Sequence, residues 1–147
     1  MDVFTKEANA QGITEKQQQL FAPRFSGNYA VTYSLPKWKL TIDLTGKVYG
    51  EQRLPIVPND FRPEYSPWFT LANLQLTQRI GKQVEVYLGV KNLLNFIPQN
   101  PILRPEDPFD KRVNDPLNNP NGYTFDPSYN YAPVMGRRVM IGIRFNL

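Results

Sequence analysis

The chain of 147 residues contains no cysteine and no histidine. Without them it has no disulfide, no thiol nucleophile, no imidazole base and none of the usual nitrogen and sulfur ligands for zinc. Long apolar runs are absent as well, because nowhere do about 18 apolar residues follow one another, as a membrane-spanning helix requires. We therefore predict no spanning helix, no enzymatic activity, no catalytic residue, no cofactor and no metal centre.

The sequence also lacks any region in which charge of one sign is concentrated. The 17 basic and 13 acidic residues, which give a net charge of +4, are interspersed and form no Lys/Arg block. Nucleic acid is therefore not an expected partner. The start of the chain also lacks a basic segment followed by an apolar one, since Met1 leads to Asp2, Lys6 and Glu7. The sequence thus indicates either a soluble protein or a fragment of an exported one.

Proline divides the rest of the sequence. Of 14 prolines, 12 fall within residues 51–67 and 97–136, which therefore cannot form regular strands or helices. The proline-free segments around them are about 11 to 13 residues long, against about 5 or 6 for a typical strand. These segments are residues 25–35, 38–50, 68–80, 83–95 and 137–147.

Inside these segments apolar residues recur with period two, as in strands. The apolar positions include Trp38, Leu40, Ile42, Leu44 and Val48 in the second segment, and Val139, Ile141, Ile143, Phe145 and Leu147 in the fifth. The polar positions include Lys39, Asp43, Lys47, Asn73, Gln75, Arg79, Glu85, Lys91, Arg138 and Arg144. We predict that the two apolar sets share one face of an antiparallel sheet.

The connections alternate between short and long. Residues 35–37 and 81–82 are short turns, whereas residues 51–67 and 97–136 are long links. Short turns at one end of the strands and long loops at the other are typical of bacterial outer-membrane barrels, which need eight or more strands to close. We therefore predict an all-β, up-and-down antiparallel meander that forms the last five strands of a transmembrane β-barrel.

Aromatic residues mark the ends of the predicted strands. Trp68, Tyr49 and Phe96 lie beside the long links, and Tyr33, Trp38 and Phe145 lie near the short turns. Such barrels carry rings at both water interfaces. We predict that these six residues form two aromatic girdles.

Several segments resemble one family. Residues 89–95, G-V-K-N-L-L-N, are similar to the G-V-x-N-L-x-[DN] segment near the end of TonB-dependent outer-membrane receptors. Residues 135–138, M-G-R-R, with the alternating strand that follows, resemble the final strand of that family. Residues 22–29 and 48–50 look like preceding strands of receptors from Bacteroidetes-type bacteria. The resemblance covers roughly residues 20–147.

This resemblance implies a barrel of about 22 strands with an N-terminal plug. Family members import scarce nutrients such as iron chelates, cobalamin or glycans, with energy from an inner-membrane TonB complex. Residues 1–147 would be a partial barrel domain in the outer membrane of a Gram-negative bacterium, without the plug and the earlier strands. The implied partners are outer-membrane lipid, the missing barrel and plug, the TonB complex through that plug, and the barrel-assembly machinery.

The final strand would carry the lipid face and the assembly signal through Val139, Ile141, Ile143, Phe145 and Leu147. The sequence departs from the family here, because such barrels commonly end on an aromatic residue and this chain ends on Leu147. Two alternatives stay open. They are the C-terminal part of another outer-membrane barrel, such as a porin, and a soluble β-sandwich that binds a ligand.

The second long link contains the candidate binding residues. Tyr123, Phe125, Tyr129 and Tyr131 are aromatic side chains that can stack on a sugar or chelate ring. Acidic and amide residues crowd residues 106–121, but without the spacing of a calcium loop, so a solvated loop is favoured over a calcium site. We also expect the isolated chain not to be a stable monomer in water, because its edge strands and apolar face would be uncovered.

Overall fold

The computed structural model describes residues 4–8, 14–57 and 59–145. It contains seven strands and one 3₁₀ turn, Pro36–Trp38. The strands are β1 (Phe4–Ala8), β2 (Thr14–Gln18), β3 (Ser26–Leu35), β4 (Leu40–Tyr49), β5 (Phe69–Ile80), β6 (Val84–Lys91) and β7 (Arg138–Phe145). Within the described ranges, no helix has the length and apolar character needed to cross a membrane.

The chain forms two compact units. The sheet unit comprises Ser26–Tyr49, Trp68–Phe96 and Met135–Leu147. The loop unit comprises Met1–Phe25, Gly50–Pro67 and Ile97–Val134. The loop unit includes β1 and β2, which pair with each other in an antiparallel sheet of two strands.

The sheet unit confirms the predicted meander. Strands β3 to β7 pair antiparallel in chain order. Both tight links lie at one end of the sheet, because Leu35 pairs with Leu40 and Ile80 pairs with Val84, while Leu40 itself pairs with Gln78 of β5. Gly81 has a φ of +67°, which a residue without a Cβ adopts easily in a tight turn. Both long links leave from the opposite ends of the strands.

The register places every charged residue of the five strands on one face of the sheet. Directly opposed residues of an antiparallel pair share a face, and Leu44 opposes Leu74 while Val86 opposes Ile143. All the charged residues of the five strands fall on the other face, namely Asp43, Lys47, Arg79, Glu85, Lys91, Arg138 and Arg144. We call these the apolar face and the charged face.

The even-numbered residues Leu40 to Val48 were predicted to share one face with the odd-numbered residues Val139 to Phe145. The strand register confirms this prediction. Trp38 differs, because it lies in the 3₁₀ turn before β4 and not in a strand. Leu147 lies outside the described residues.

Glycines in the strands make room for large neighbours. A Cβ on Gly46 would overlap the ring of Tyr29, which opposes it on the apolar face. A Cβ on Gly142 would overlap the ring of Tyr87 on the charged face. In each pair an aromatic ring covers a glycine on the adjacent strand, an arrangement that shields the exposed glycine backbone.

The loop unit is compact although it has little regular structure beyond β1 and β2. Isolated bridges join Arg53 to Leu20 and to Tyr65, and Leu103 to Asp126. Its buried apolar side chains are Leu54, Leu103, Tyr129 and Ala132. Several polar side chains are also buried, namely Gln52, Arg62, Ser66, Asp107, Asn119 and Asp126. The long links therefore contain a core of their own.

Candidate functional site

A buried ionic cluster joins the two long links within the loop unit. Nη2 of Arg62 lies 2.7 Å from Asp60 Oδ2 and 2.7 Å from Asp126 Oδ2. The side chains of Arg62 and Asp60 are 1% and 0% exposed. The guanidinium also donates through Nε to both Asp60 oxygens, at 3.0 Å each. This fork geometry fixes the orientation of the side chains, while the single guanidinium offsets only one of the two carboxylate charges.

Hydrogen bonds within the cluster keep its carboxylates and its guanidinium in their charged forms. Burial raises the pKa of Asp60, but hydrogen bonds from the side chain and backbone of Arg62 outweigh it and leave the pKa below its usual value. Burial acts in the same way on Asp126, where hydrogen bonds from Ser128 and Arg62 bring the pKa below normal. Burial lowers the pKa of Arg62, but the two carboxylates raise it further. All three groups are therefore charged near neutral pH.

Tyr129 completes the cluster. Its side chain is buried, its hydroxyl donates to the carbonyl of Pro63 at 2.6 Å, and the Arg62 guanidinium lies 4.2 Å above its ring. Tyr131 packs edge-on against it, with ring centroids 5.9 Å apart. Burial raises the pKa of Tyr129 to about 12. Such a ring anchors the cluster, because buried phenols need a hydrogen-bond partner and a cation above a ring is favourable.

The other predicted contact residues are less buried than Tyr129. Tyr123 is half-buried, donates its hydroxyl to the Asn59 carbonyl at 2.7 Å, and packs edge-on against Phe61. Phe125 and Tyr131 are half-buried too. Ligand contact by these three residues stays a prediction. Tyr129 is only 1% exposed, so in this conformation it can reach a ligand only through its neighbours.

The acidic and amide residues of the second long link stabilise its turns. Asp107 accepts from the backbone N–H groups of Lys111 and Arg112 and from the Arg104 side chain. Asn119 donates to the carbonyls of Val113 and Tyr123. Asp107 and Asn119 are buried, whereas most of the other acidic and amide residues of this link are exposed. Within the described ranges, no group of three acidic side chains is placed to hold a metal ion.

Three rings stack at the long-link end of the charged face. Tyr49 stacks on Phe69 with centroids 4.7 Å apart, and Phe69 stacks on Phe96 at 4.6 Å. Lys47 lies 4.7 Å above the Tyr49 ring. The register places Tyr49 and Phe69 on the same face as Lys47. The predicted girdle is therefore wrong for Tyr49 and Phe96, because their rings stack on the charged face and not on the apolar one.

The residues predicted for the girdle at the tight-turn end are exposed, and so are the apolar residues of the final strand. Tyr33, Trp38 and Phe145, at the tight-turn end, are 61%, 68% and 70% exposed. The side chains of the final strand that lie on the apolar face are also exposed, namely Val139, Ile141, Ile143 and Phe145. Their roles as lipid face and assembly signal stay predictions.

Asn92 explains why the two sequence motifs occur together. It has a φ of +51°, which ends β6, and its side chain accepts from the N–H of Phe96 and donates to the Phe96 carbonyl at 2.7 Å. Nδ2 also approaches the Met135 carbonyl at 3.4 Å. Asn95 accepts from the backbone N–H of Arg137 at 2.8 Å, and Arg137 Nε donates to the Leu93 carbonyl. The segment 92–95 therefore joins the end of β6 to the start of β7.

A meander of long strands with one charged and one apolar face, with tight turns at one end only, is the architecture of an outer-membrane β-barrel wall. Residues 3–93 match the family model described as TonB dependent receptor-like, beta-barrel. The chain belongs to this family of outer-membrane receptors and transporters, which act with a plug and with TonB. No curated protein and no solved structure matches the chain.

Proposed function

We propose that the five-stranded sheet is part of the wall of a larger barrel that imports a scarce nutrient across the outer membrane with energy from TonB. In this proposal the apolar face contacts lipid and the charged face lines the lumen. The observation that carries it is the separation of charge, because every charged residue of β3 to β7 lies on one face. Turning the sheet over would place five basic residues in lipid, each at a cost of about 2 to 4 kcal/mol near the midplane.

The exposed apolar face supports the same assignment. Val31, Ile141 and Ile143 are 58%, 77% and 60% exposed. A soluble sandwich would bury such residues, and a contiguous apolar face of this kind normally has a partner. Lipid supplies that partner for a barrel wall. The family match likewise favours a receptor barrel over a porin or a soluble binding module.

Further strands follow from the strand count, and the plug and TonB follow from the family match. Five strands cannot close a transmembrane barrel, so the edges of β3 and β7 would pair with further strands of a parent of about 22 strands. A plug would fill that barrel, and TonB would act through the plug. The barrel-assembly machinery would recognise the final strand. The cargo would be an iron chelate, cobalamin or a glycan.

The long links would be extracellular in this arrangement, and they would contribute to binding and not to bond chemistry. Tyr123, Phe125 and Tyr131 offer partly exposed rings for a sugar or chelate. The buried cluster of Arg62, Asp60 and Asp126 would keep the loop backbone fixed while those rings contact the cargo. Pre-organisation of this kind reduces the entropy that binding would otherwise lose.

The absence of native cysteine allows a direct test of the two faces. Leu44→Cys and Thr45→Cys place single thiols on adjacent residues of β4 that point to opposite faces. After labelling with a fluorophore in detergent micelles, a detergent-soluble quencher should act on position 44 and a water-soluble quencher on position 45. Leu76→Cys and Gln75→Cys repeat the comparison in β5. Equal quenching at both members of each pair would refute the lipid and lumen assignment.

A further inference from the structure

A small cleft lies beside the first tight turn, where β3 ends. Its volume is about 330 Å³, within the usual range of small-molecule sites, about 300 to 1,000 Å³. It is lined by six consecutive residues, Tyr33, Ser34, Leu35, Pro36, Lys37 and Trp38. Lys37 is the charged member of this lining, and most of the others present apolar surface. The cleft therefore places a cation at the border of an apolar surface.

The strand residues of the cleft belong to the apolar face. Tyr33 opposes Ile42 and Leu35 opposes Leu40, so the side chains of Tyr33 and Leu35 lie on that face. Val31 is the next residue of β3 on the same face, and it is exposed. The cleft is thus continuous with the surface that contacts lipid in the proposed function.

Lys37 and Lys39 belong to one turn but line different cavities. Lys37 lines the cleft, whereas Lys39 lines a second cavity together with Arg79 and Glu85, which lie on the charged face. Both lysines are exposed. In the part of the chain that the structure describes, no ion pair joins Lys37 to a carboxylate. Lys37 is therefore the cation that a ligand in the cleft would meet.

The backbone of the turn is fixed without a ligand. Pro36 begins the 3₁₀ turn, and Lys39 closes it with a φ of +51° and donates its N–H to the Pro36 carbonyl at 3.1 Å. β5 holds the turn as well, because the Gln78 side chain donates to the Trp38 carbonyl and the N–H of Arg79 donates to the Lys39 carbonyl. A site that is already ordered loses less entropy when it binds a ligand.

The side chains of the cleft suit the border between hydrocarbon and water. Tyr33 and Trp38 are exposed rings, and each has an apolar body and a polar tip. Such rings are enriched at membrane interfaces. A lysine at the same border keeps its stem on apolar surface while its ammonium group reaches the polar layer. Together these groups match a molecule that has an anionic head and a hydrocarbon tail.

We propose that the cleft binds an anionic phospholipid, with the phosphate at Lys37 and an acyl chain extending along the apolar face past Val31. The inference rests on the proposed function, because the apolar face must be the lipid side and the tight turns must lie at the periplasmic end. An acidic peptide is disfavoured, because a single cation would neutralise one of its charges and the others would lie against apolar surface.

Trp38 reports directly on the cleft. In a Trp68→Phe background it is the remaining tryptophan of the chain. The full chain is placed in uncharged maltoside micelles, and the fluorescence of Trp38 is titrated with phosphatidylglycerol or phosphatidylcholine whose acyl chains carry bromine, a contact quencher. Half-maximal quenching should need about three to five times less phosphatidylglycerol, because one lysine beside an anionic headgroup contributes modestly. Added salt should reduce this preference.

The two lysines of the turn form a matched pair of variants. Lys37→Gln should reduce the preference for phosphatidylglycerol to less than about twofold, and Lys37→Arg should retain it. Lys39→Gln removes the same charge from the same turn outside the cleft, and should leave the preference above about threefold. Equal losses in Lys37→Gln and Lys39→Gln would reveal a general attraction to a basic end of the sheet and would overturn the site.

Other occupants of the cleft give different results. If neither brominated lipid quenches Trp38, protein covers the cleft, for example a second copy paired along β3, and the proposal is overturned. Equal quenching by the two lipids would overturn the anionic selectivity. A hexaglutamate peptide that relieves the quenching at a lower concentration than unbrominated phosphatidylglycerol would replace the lipid by an acidic protein segment.

The quenching test at positions 44 and 45 separates this proposal from the proposed function. The expected difference between those positions, without a preference for phosphatidylglycerol at Trp38, would refute the lipid site alone. Equal quenching at positions 44 and 45 would refute the lipid assignment of the apolar face, on which the site rests.

Discussion

The phenol ring of Tyr87 in β6 lies over Gly142 of β7, in the space that a side chain at position 142 would need. The two residues oppose each other on the charged face, beside the cross-strand pair of Glu85 and Arg144. The glycine is therefore required by its neighbour and not by its own backbone conformation. A substitution there acts through packing, and its effect depends on whether the ring is present.

Gly142→Ala should destabilise the sheet by about 1 to 3 kcal/mol, the usual cost of overpacking. In a Tyr87→Ala background the same change should be neutral or stabilising by up to about 1 kcal/mol, because alanine restricts the unfolded chain more than glycine does. Urea unfolding of the four variants in micelles gives the coupling energy. Additive effects of the two substitutions would contradict the overlap.

The ionic cluster of the loop unit should depend strongly on Arg62. Arg62→Leu leaves the carboxylates of Asp60 and Asp126 buried without their cation, at a cost of about 3 to 5 kcal/mol. Arg24→Leu is the control, because its ion pair with Glu51 is 3.8 Å long and exposed, and should contribute less than about 1 kcal/mol. Proteolysis within residues 97–134 measures loop opening. Equal cleavage rates for the two variants would show that the cluster does not hold the unit together.

The loop unit should lose stability at alkaline pH, because the buried phenol of Tyr129 ionises there. Its folded pKa of about 12 lies above the value of 10.0 for a free phenol, so folding favours the neutral form. This stabilisation is complete below pH 10 and disappears as the pH rises toward 12. The tyrosinate absorbance should therefore rise together with proteolysis of the loops in this interval. Tyr129→Phe should reduce that pH dependence and leave the part that comes from Tyr131, whose pKa is also raised by burial. An unchanged profile in this variant would exclude Tyr129 as its origin.

Arginine placed on the two faces of β5 should distinguish them in a bilayer. Leu76→Arg introduces a charge on the apolar face, between Ile42 and Leu88, and should cost about 2 to 4 kcal/mol if the site is near the midplane. Gln75→Arg introduces the same side chain on the charged face and should cost less than about 1 kcal/mol. Denaturant unfolding in lipid vesicles measures both. A larger cost at position 75 would reverse the assignment of the faces.

The isolated chain should not be a monomer in water. The described sheet ends in β3 and β7, whose outer edges have no strand partner in the described pairing, and its apolar face is exposed. Unpaired edges and large apolar surfaces both promote association. Purification without detergent should give aggregates, and detergent should release them. A monomeric species that melts cooperatively without detergent would refute this prediction and support the soluble sandwich.

The strands of the sheet could be predicted from the sequence because two independent signals coincide in them. Proline excludes regular pairing from the long links, and period-two alternation continues through most of β4 and β7, with Gly46, Tyr49 and Met140 as the exceptions. Each signal is local, so neither requires knowledge of the fold. The position of Tyr49 could also have been predicted, because an odd-numbered residue of β4 shares its face with Lys47.

The core of the loop unit could not be predicted in this way. Arg62 and Asp126 are separated by 64 residues, and no periodicity connects the two links that bring them together. The pair formed by β1 and β2 was missed for a different reason. Their sequences, F-T-K-E-A and T-E-K-Q-Q, are too polar to show apolar alternation. The overlap of Tyr87 with Gly142 likewise requires the register, since either residue alone is ordinary in a strand.

The hydrogen bonds that Arg137 and Met135 form with the segment 92–95 bring together the two ends of the second long link. The strand pairing of β6 and β7 is thereby fixed by residues that flank the link and not by residues inside it. Because closing a longer loop between fixed ends costs little additional entropy, residues 97–134 can be exchanged or lengthened while the wall keeps its register. Sequence change in this link is thus uncoupled from the pairing of β6 with β7, so the two can vary independently.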